Sequence, residues 1–115
     1  MPFTTPFKRG EVVLVPFPFT DQTGLKRRPA VILSTEAYNT RRNDIIIAPV
    51  TSNLTTGQVD DVVLTDWAAA GLLKPSVVKA ILGTIAPSLI RRRMGTITAA
   101  DLASVERTFA TVLGL

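Results

Sequence analysis

The sequence predicts one small domain, mainly β with a C-terminal helix, in which a strongly bent sheet or barrel is capped by that helix. Short β-branched runs recur along the chain and are separated by turn-forming residues. Only the C-terminal segment has a clear helical spacing of apolar residues. The length of 115 residues and the hydrophobic content of 46% suit a single core and exclude a disordered chain.

The first elements follow from the positions of the prolines. Residues 1–8 contain two prolines and little periodicity, so we expect a loose N-terminal arm. Residues 11–15 form the first predicted strand, which is apolar on both faces and must be covered on both sides. The polar segment 19–27 is predicted to be a loop. After Pro29, residues 30–35 are predicted to form the second strand.

The middle of the chain alternates between polar connections and short strands. We expect a linker with one helical turn over residues 36–43, a third strand over 44–50, and a fourth over 62–64. Asp66 is a plausible N-cap for a short helix over residues 67–70.

The last third contains one further strand and the clearest helix. Residues 76–82 are predicted to be a strand, and Met94–Gly95 a turn. Thr98 is the predicted N-cap of the final helix, with Asp101 three residues later. The apolar residues on one face of this helix are Leu102, Val105, Phe109, Val112 and Leu113. This helix covers only one side of the sheet, so a second copy of the chain is the simplest cover for the other side.

Composition narrows the possible functions. The formal net charge is +4, and much of the excess lies in the clusters 8–9, 26–28, 41–42 and 91–93. Such clusters attract nucleic acid, although each alone is also consistent with a solvated loop end. The absence of cysteine excludes disulfides, and without histidine or cysteine a transition-metal site is improbable. We expect a soluble cytoplasmic protein, because the N-terminus lacks a signal-peptide core and no apolar stretch is long enough to span a bilayer.

The remaining candidates for chemistry are arginine and hydroxyl side chains. Arg28 presents a planar fork that matches the oxygens of a phosphate, and Thr51 can donate one more hydrogen bond. The alternative is a structural arginine paired with a carboxylate and a threonine that only ends a strand.

Four segments occur in an order that resembles the MazF/PemK (Kid) family of toxin endoribonucleases: residues 9–13, residues 28–31, residues 49–52 and the C-terminal helix. The resemblance implies a small SH3-like barrel (CcdB/MazF/PemK-like) that dimerises and an antitoxin partner. It also implies metal-independent cleavage of single-stranded RNA through attack by the 2′-hydroxyl. The family's catalytic arginine and threonine fall on Arg28 and Thr51.

Further candidates for RNA binding surround this pair: Lys26, Arg27, Ser52, Lys79 and Phe19. Lys79 matches a basic position of the family, and Phe19 is either core or a platform for a base. Two departures from the family pattern support an alternative: residues 21–23 contain no glutamate, and Gly83 stands where many members have arginine. That alternative is a non-catalytic module that binds nucleic acid or antitoxin. A gyrase poison like CcdB ranks below it.

Overall fold

The structure, a computed structural model, describes residues 5–16, 27–54 and 59–115. The strands are β1 (Glu11–Pro16), β2 (Arg27–Ile32), β3 (Ile45–Thr51), β4 (Val62–Val63), β5 (Val77–Val78), β6 (Gly83–Ile85) and β7 (Arg92–Thr96). The helices are α1 (Glu36–Arg42), α2 (Ala99–Leu113) and a 3-10 turn over Pro87–Leu89. None of the described helices is long and apolar enough to cross a membrane. The prediction of a mainly β domain with a C-terminal helix is confirmed.

All strand pairs are antiparallel, and the strand order is β4-β5-β3-β2-β1-β7, with β6 paired to β3. One edge of β3 pairs with β2. The other edge pairs with β6 near its start, at Ile45↔Ile85, and with β5 at its end, at Thr51↔Val77. Within the described residues, β4 and β7 do not pair with each other, so the sheet is not closed into a barrel.

The central strands bury side chains on both faces, as their continuous apolar sequence predicts. Val12 and Val13 are both 0% exposed, and they belong to two different core clusters. The first cluster packs beneath α2 and includes Val31, Ala48, Val50, Val78, Val105 and Phe109. The second consists of Phe7, Val13, Val15, Ala30, Ile32, Ile45, Ile47 and Ile90. The second face of β1 is therefore covered within one chain, and its coverage does not require a second copy.

The described part of the N-terminal arm, residues 5–8, is held against the domain. Phe7 is buried, and its carbonyl accepts a hydrogen bond from Nδ2 of Asn39 at 3.0 Å. The Arg93 guanidinium lies 4.1 Å from the centre of the Phe7 ring and pairs with Glu11 at 3.0 Å. Residues 1–4 lie outside the described ranges.

Several predicted boundaries shift. β2 begins at Arg27 rather than at residue 30, and β3 extends to Thr51. The predicted linker contains the two-turn helix α1, which ends where Asn43 adopts a left-handed conformation (φ 55°). Of the strand expected over residues 76–82, only Val77–Val78 forms as β5.

Two local predictions are wrong. Residues 65–71 form turns instead of a helix, although the Asp66 carboxylate accepts from the Ala69 N–H at 3.1 Å as a cap would. Met94–Gly95 lies inside β7, where the register against β1 shifts between Val12 and Val13. Gly95 is required by close packing there, because a Cβ would lie 2.6 Å from the carbonyl carbon of Ala70.

The N-cap of α2 is confirmed, since Thr98 Oγ1 accepts from the Asp101 N–H at 3.2 Å. The Asp101 side chain is buried, and its carboxylate accepts from the Thr65 N–H (3.0 Å), the Thr65 hydroxyl (2.8 Å) and the Asp66 N–H (3.2 Å). Burial alone would raise the pKa of Asp101, but these hydrogen bonds outweigh it and hold the pKa below its usual value. Asp101 therefore ties α2 to the turn after β4.

Candidate active site

Arg28 and Thr51 lie at the ends of β2 and β3 that adjoin the last pair of the ladder between these two strands, Ala30↔Pro49. The observed register pairs Ala30 with Pro49 and Ile32 with Ile47. Continuing this register by two residues places Arg28 opposite Thr51. Because alternate residues of a strand share a face, this continued register would place the two side chains on the same face of the sheet, two residues beyond the last observed β2–β3 pair.

Prolines end the backbone ladder beside this pair. Pairing between β2 and β3 begins at Ala30 and Pro49, and neither Pro29 nor Pro49 has an N–H to donate. The strands remain fixed on their outer sides, where Arg28 pairs with Val15 of β1 and Thr51 pairs with Val77 of β5. Arg28 and Thr51 are thus each held by the strand on their outer side, just beyond the last pair between β2 and β3. Arg28 itself lies within β2, and not at the end of a loop.

Arg28 has a buried donor without an acceptor. Its side-chain Nε is buried and has no hydrogen-bond partner, and in the described part of the chain Arg28 belongs to no ion pair. Buried N–H groups are nearly always paired, and leaving one unpaired costs about 1–3 kcal/mol. A bound anion at this position would supply the acceptor. The alternative of an arginine paired with a carboxylate is not what the described residues show.

The Thr51 hydroxyl is oriented by the backbone that follows it. Its Oγ1 accepts a hydrogen bond from the Asn53 N–H at 3.0 Å, so its own hydrogen is left to be donated elsewhere. Thr51 is half-buried, whereas Ser52 next to it is exposed. The arrangement offers the Arg28 fork and one hydroxyl donor on one face of the sheet.

The other predicted binding residues divide into three groups. Arg27 is exposed beside Arg28. Lys26, Phe19 and residues 21–23 lie outside the described ranges. Lys79 forms an ion pair within the chain, since its Nζ lies 2.9 Å from the carboxylate of Asp61 and both side chains are largely buried.

Gly83 and Trp67 have positions that fit structural roles. Gly83 begins β6 and pairs with Ile47 of β3. Trp67 is partly buried and packs against the first core cluster.

Some residues of the basic clusters form ion pairs within the chain, and others are exposed. Arg9 donates from Nε to the Leu33 carbonyl at 2.9 Å and pairs with Glu106 of α2. Arg93 is similarly engaged with Glu11. Arg91 and Arg92 are exposed beside Leu14 of β1, on the other side of that strand from Arg27 and Arg28. The arginine run 91–93 predicted a basic surface, but the sequence could not show which of the three arginines were exposed or which residues lay beside them.

Comparison with known proteins gives a consistent family match. The family model described as "PemK-like, MazF-like toxin of type II toxin-antitoxin system" matches residues 8–113. The crystal structure of MazF (Form-I) from Deinococcus radiodurans is similar with a TM-score of 0.76 and 28% identity, over 96% of this chain and 99% of that chain.

Two further solved structures are similar. The MazE-MazF complex (Form-II) from the same organism has a TM-score of 0.75 and 28% identity, over 96% of this chain and 98% of that chain. The Mycobacterium tuberculosis toxin MazF-mt6, at 23% identity, shares the fold with a TM-score of 0.74 over 91% of this chain and 97% of that chain. A comparison with curated protein sequences finds no match.

Proposed function

Because the chain belongs to the PemK-like, MazF-like toxins of type II toxin–antitoxin systems, we propose that it is a metal-independent, sequence-selective endoribonuclease that cleaves single-stranded RNA. Arg28 and Thr51 are the catalytic residues of this proposal. The observation that carries it is the buried Arg28 Nε, which lacks an acceptor; Thr51, whose Oγ1 accepts from the Asn53 N–H, lies at the adjoining end of β3. A phosphate seated between these side chains would accept from both.

The proposed reaction is an internal phosphoryl transfer. The 2′-hydroxyl of the RNA attacks the adjacent phosphorus, a new P–O bond forms, and the bond to the 5′-oxygen of the next nucleotide breaks. The 2′-hydroxyl proton is lost to solvent, and the 5′-oxygen is protonated as it leaves. The products are a 2′,3′-cyclic phosphate and a 5′-hydroxyl.

The chain's own residues would act mainly through charge and position. Arg28 stabilises the negative charge that builds on the phosphate oxygens, and Thr51 adds a hydrogen bond to one of them. Arginine is a poor general base because its guanidinium group stays protonated at neutral pH. Since the chain has no histidine or cysteine, positioning of the neighbouring 2′-hydroxyl supplies much of what a base would contribute.

The proposed partners are a cognate antitoxin and a second copy of the chain, and the proposed location is the cytoplasm, where RNA substrates are found. Support for the antitoxin comes from the family and from similar structures described as MazE-MazF complexes. Large apolar side chains exposed on the described surface, including Leu73 (91%), Val63 (67%) and Leu82 (45%), offer area for such contacts.

The test is incubation of the purified protein with a long single-stranded RNA in the presence of a chelator, followed by mapping of the new ends. We expect cleavage at a short sequence motif with cyclic phosphate ends, and its loss in Arg28→Ala. Arg41→Ala is the control, since Arg41 is exposed in α1 beyond the opposite end of β3. Absence of cleavage by the parent, or equal cleavage by parent and Arg28→Ala, would contradict the proposal.

A further inference from the structure

Arginines from two distant parts of the sequence surround the C-terminal end of β1. On one side, Arg27 pairs with Pro16. On the other side, Arg92 pairs with Leu14, and the Arg91 N–H donates to the Leu14 carbonyl at 2.8 Å. The strand segments that meet here contain no acidic residue.

The positive charges at this end of the sheet are not neutralised by ion pairs within the described residues. Four other cations are neutralised within the chain, in the pairs Arg9–Glu106, Arg42–Asp44, Lys79–Asp61 and Arg93–Glu11. Arg27, Arg91 and Arg92 are exposed, and within the described ranges they belong to no ion pair. Uncompensated charges of one sign raise the local potential and concentrate a polyanion at that surface.

The spacing of the strands indicates how such a polyanion would lie. Neighbouring strands are about 4.8 Å apart, so β7 is about 10 Å from β2, with β1 between them. One phosphate cannot sit at the Arg28 fork and also meet side chains on the far side of β1. A strand that presents phosphates at regular intervals can, if it crosses the end of β1.

We propose that Arg91 and Arg92 form a second phosphate-binding subsite, which holds the RNA backbone at a phosphate other than the one cleaved at Arg28. This inference rests on the proposed endoribonuclease function and adds the path of the substrate to it. Arg93, although it belongs to the same run, is not part of the subsite because Glu11 neutralises it. Arginine suits the role because its fork can donate two parallel hydrogen bonds to one phosphate.

An acidic protein segment would also be attracted to this surface. RNA is favoured because these arginines lie at the same end of the sheet as Arg28, and a nucleic-acid backbone supplies an anion at each step of a path across that end. The protein alternative is therefore an outcome of the test.

The test compares two charge-matched double variants, Arg91→Ala with Arg92→Ala, and Arg41→Ala with Arg42→Ala. The second pair is also exposed and adjacent in sequence, and it lies beyond the opposite end of β3. The probe is a fluorescent single strand of about twelve nucleotides with deoxyribose throughout, which cannot undergo 2′-hydroxyl attack. Binding is measured by anisotropy from about 50 to 200 mM salt. Thermal melting verifies that both variants are folded.

Loss of the subsite should weaken binding by about tenfold at low salt. It should also reduce the slope of log affinity against log salt by about 0.7 for each lost phosphate contact. The control pair should leave the slope unchanged. If both double variants lose the same binding affinity, the effect is one of net charge and the proposal is overturned. If neither variant loses affinity, the proposal is also overturned. Unchanged binding of the strand with weaker binding of an acidic antitoxin peptide would assign the surface to the protein partner.

A second measurement locates the subsite and separates it from the cleavage proposal. Neutral methylphosphonates are placed at one phosphate at a time, and a double-mutant cycle is formed with each arginine variant. We expect Arg91→Ala with Arg92→Ala to couple to a different phosphate from Arg28→Ala. Coupling to no phosphate refutes the subsite while cleavage by the parent still stands. Coupling in a protein that cleaves no RNA supports the subsite and removes the proposed activity.

Discussion

Replacing Arg28 with lysine separates the cost of its buried donor from its use in catalysis. In lysine, a methylene occupies the chain position of the arginine Nε, and the charge is retained one atom further out. The substitution therefore removes a buried N–H that has no acceptor, and it also removes the planar fork. Removal of the buried N–H should raise the stability of the fold, whereas removal of the fork should lower the rate of RNA cleavage.

The magnitudes follow from each loss. An unsatisfied buried donor costs about 1–3 kcal/mol, and the lysine variant no longer has this cost. Partial dehydration of the lysine ammonium group offsets part of this stabilisation, so we expect a net stabilisation of about 1 kcal/mol. For a domain of this size that corresponds to a rise in Tm of roughly 3–6 °C. Loss of a donor to the transition-state charge should lower RNA cleavage about 10²–10³-fold, nearly as much as Arg28→Ala.

The assay is single-turnover cleavage of a defined RNA together with thermal melting of the same preparations. Arg27→Lys is the matched control, because Arg27 is the neighbouring residue of β2 and is exposed. It should leave Tm unchanged. If Arg28→Lys cleaves RNA like the parent, the role of the fork is wrong. If its Tm falls by several degrees, Arg28 makes a stabilising interaction that its environment here does not explain.

Three further predictions test other parts of the account. Thr51→Val keeps the shape of the side chain but removes the hydroxyl donor, so cleavage should fall about 10²-fold, with a change in stability below about 1 kcal/mol in denaturant unfolding; unchanged cleavage would remove Thr51 from the mechanism. A single deoxyribose at the mapped cut site should block cleavage, and cutting of that bond would show that water or a side chain attacks instead. Because the pKa of Asp101 is lowered on folding, its contribution to stability is present above the unfolded pKa of about 3.9 and is lost as pH falls through the folded pKa. Asp101→Asn should therefore destabilise the protein at neutral pH and flatten the acid limb of a stability–pH profile, and a profile identical to the parent's would contradict this role.

Elements with a strong local period were predictable. The continuous β-branched run at Val12–Val13 indicated a strand buried on both faces, and both residues are fully buried. Thr98 was identified as the cap of α2 because a side-chain cap is a local interaction over three residues. Where a local rule failed, a distant contact was responsible. Gly95 resembles a turn residue, but its missing side chain allows close packing against Ala70.

The sequence by itself determined the class of fold, the family resemblance and the residue types available for chemistry, because periodicity, proline positions and composition are properties of neighbouring residues. It identified Arg28 and Thr51 as a hypothesis, and where they lie relative to each other depends on the register of β2 against β3, which the structure pairs up to Ala30 and Pro49. Only the tertiary structure decided which cations are neutralised. Lys79 meets Asp61 and Arg93 meets Glu11, whereas Arg91 and Arg92 lie exposed across β1 from Arg27 and Arg28. The physical reason is that a charge interacts with whatever the fold places within a few ångströms, and those neighbours come from strands far apart in the chain.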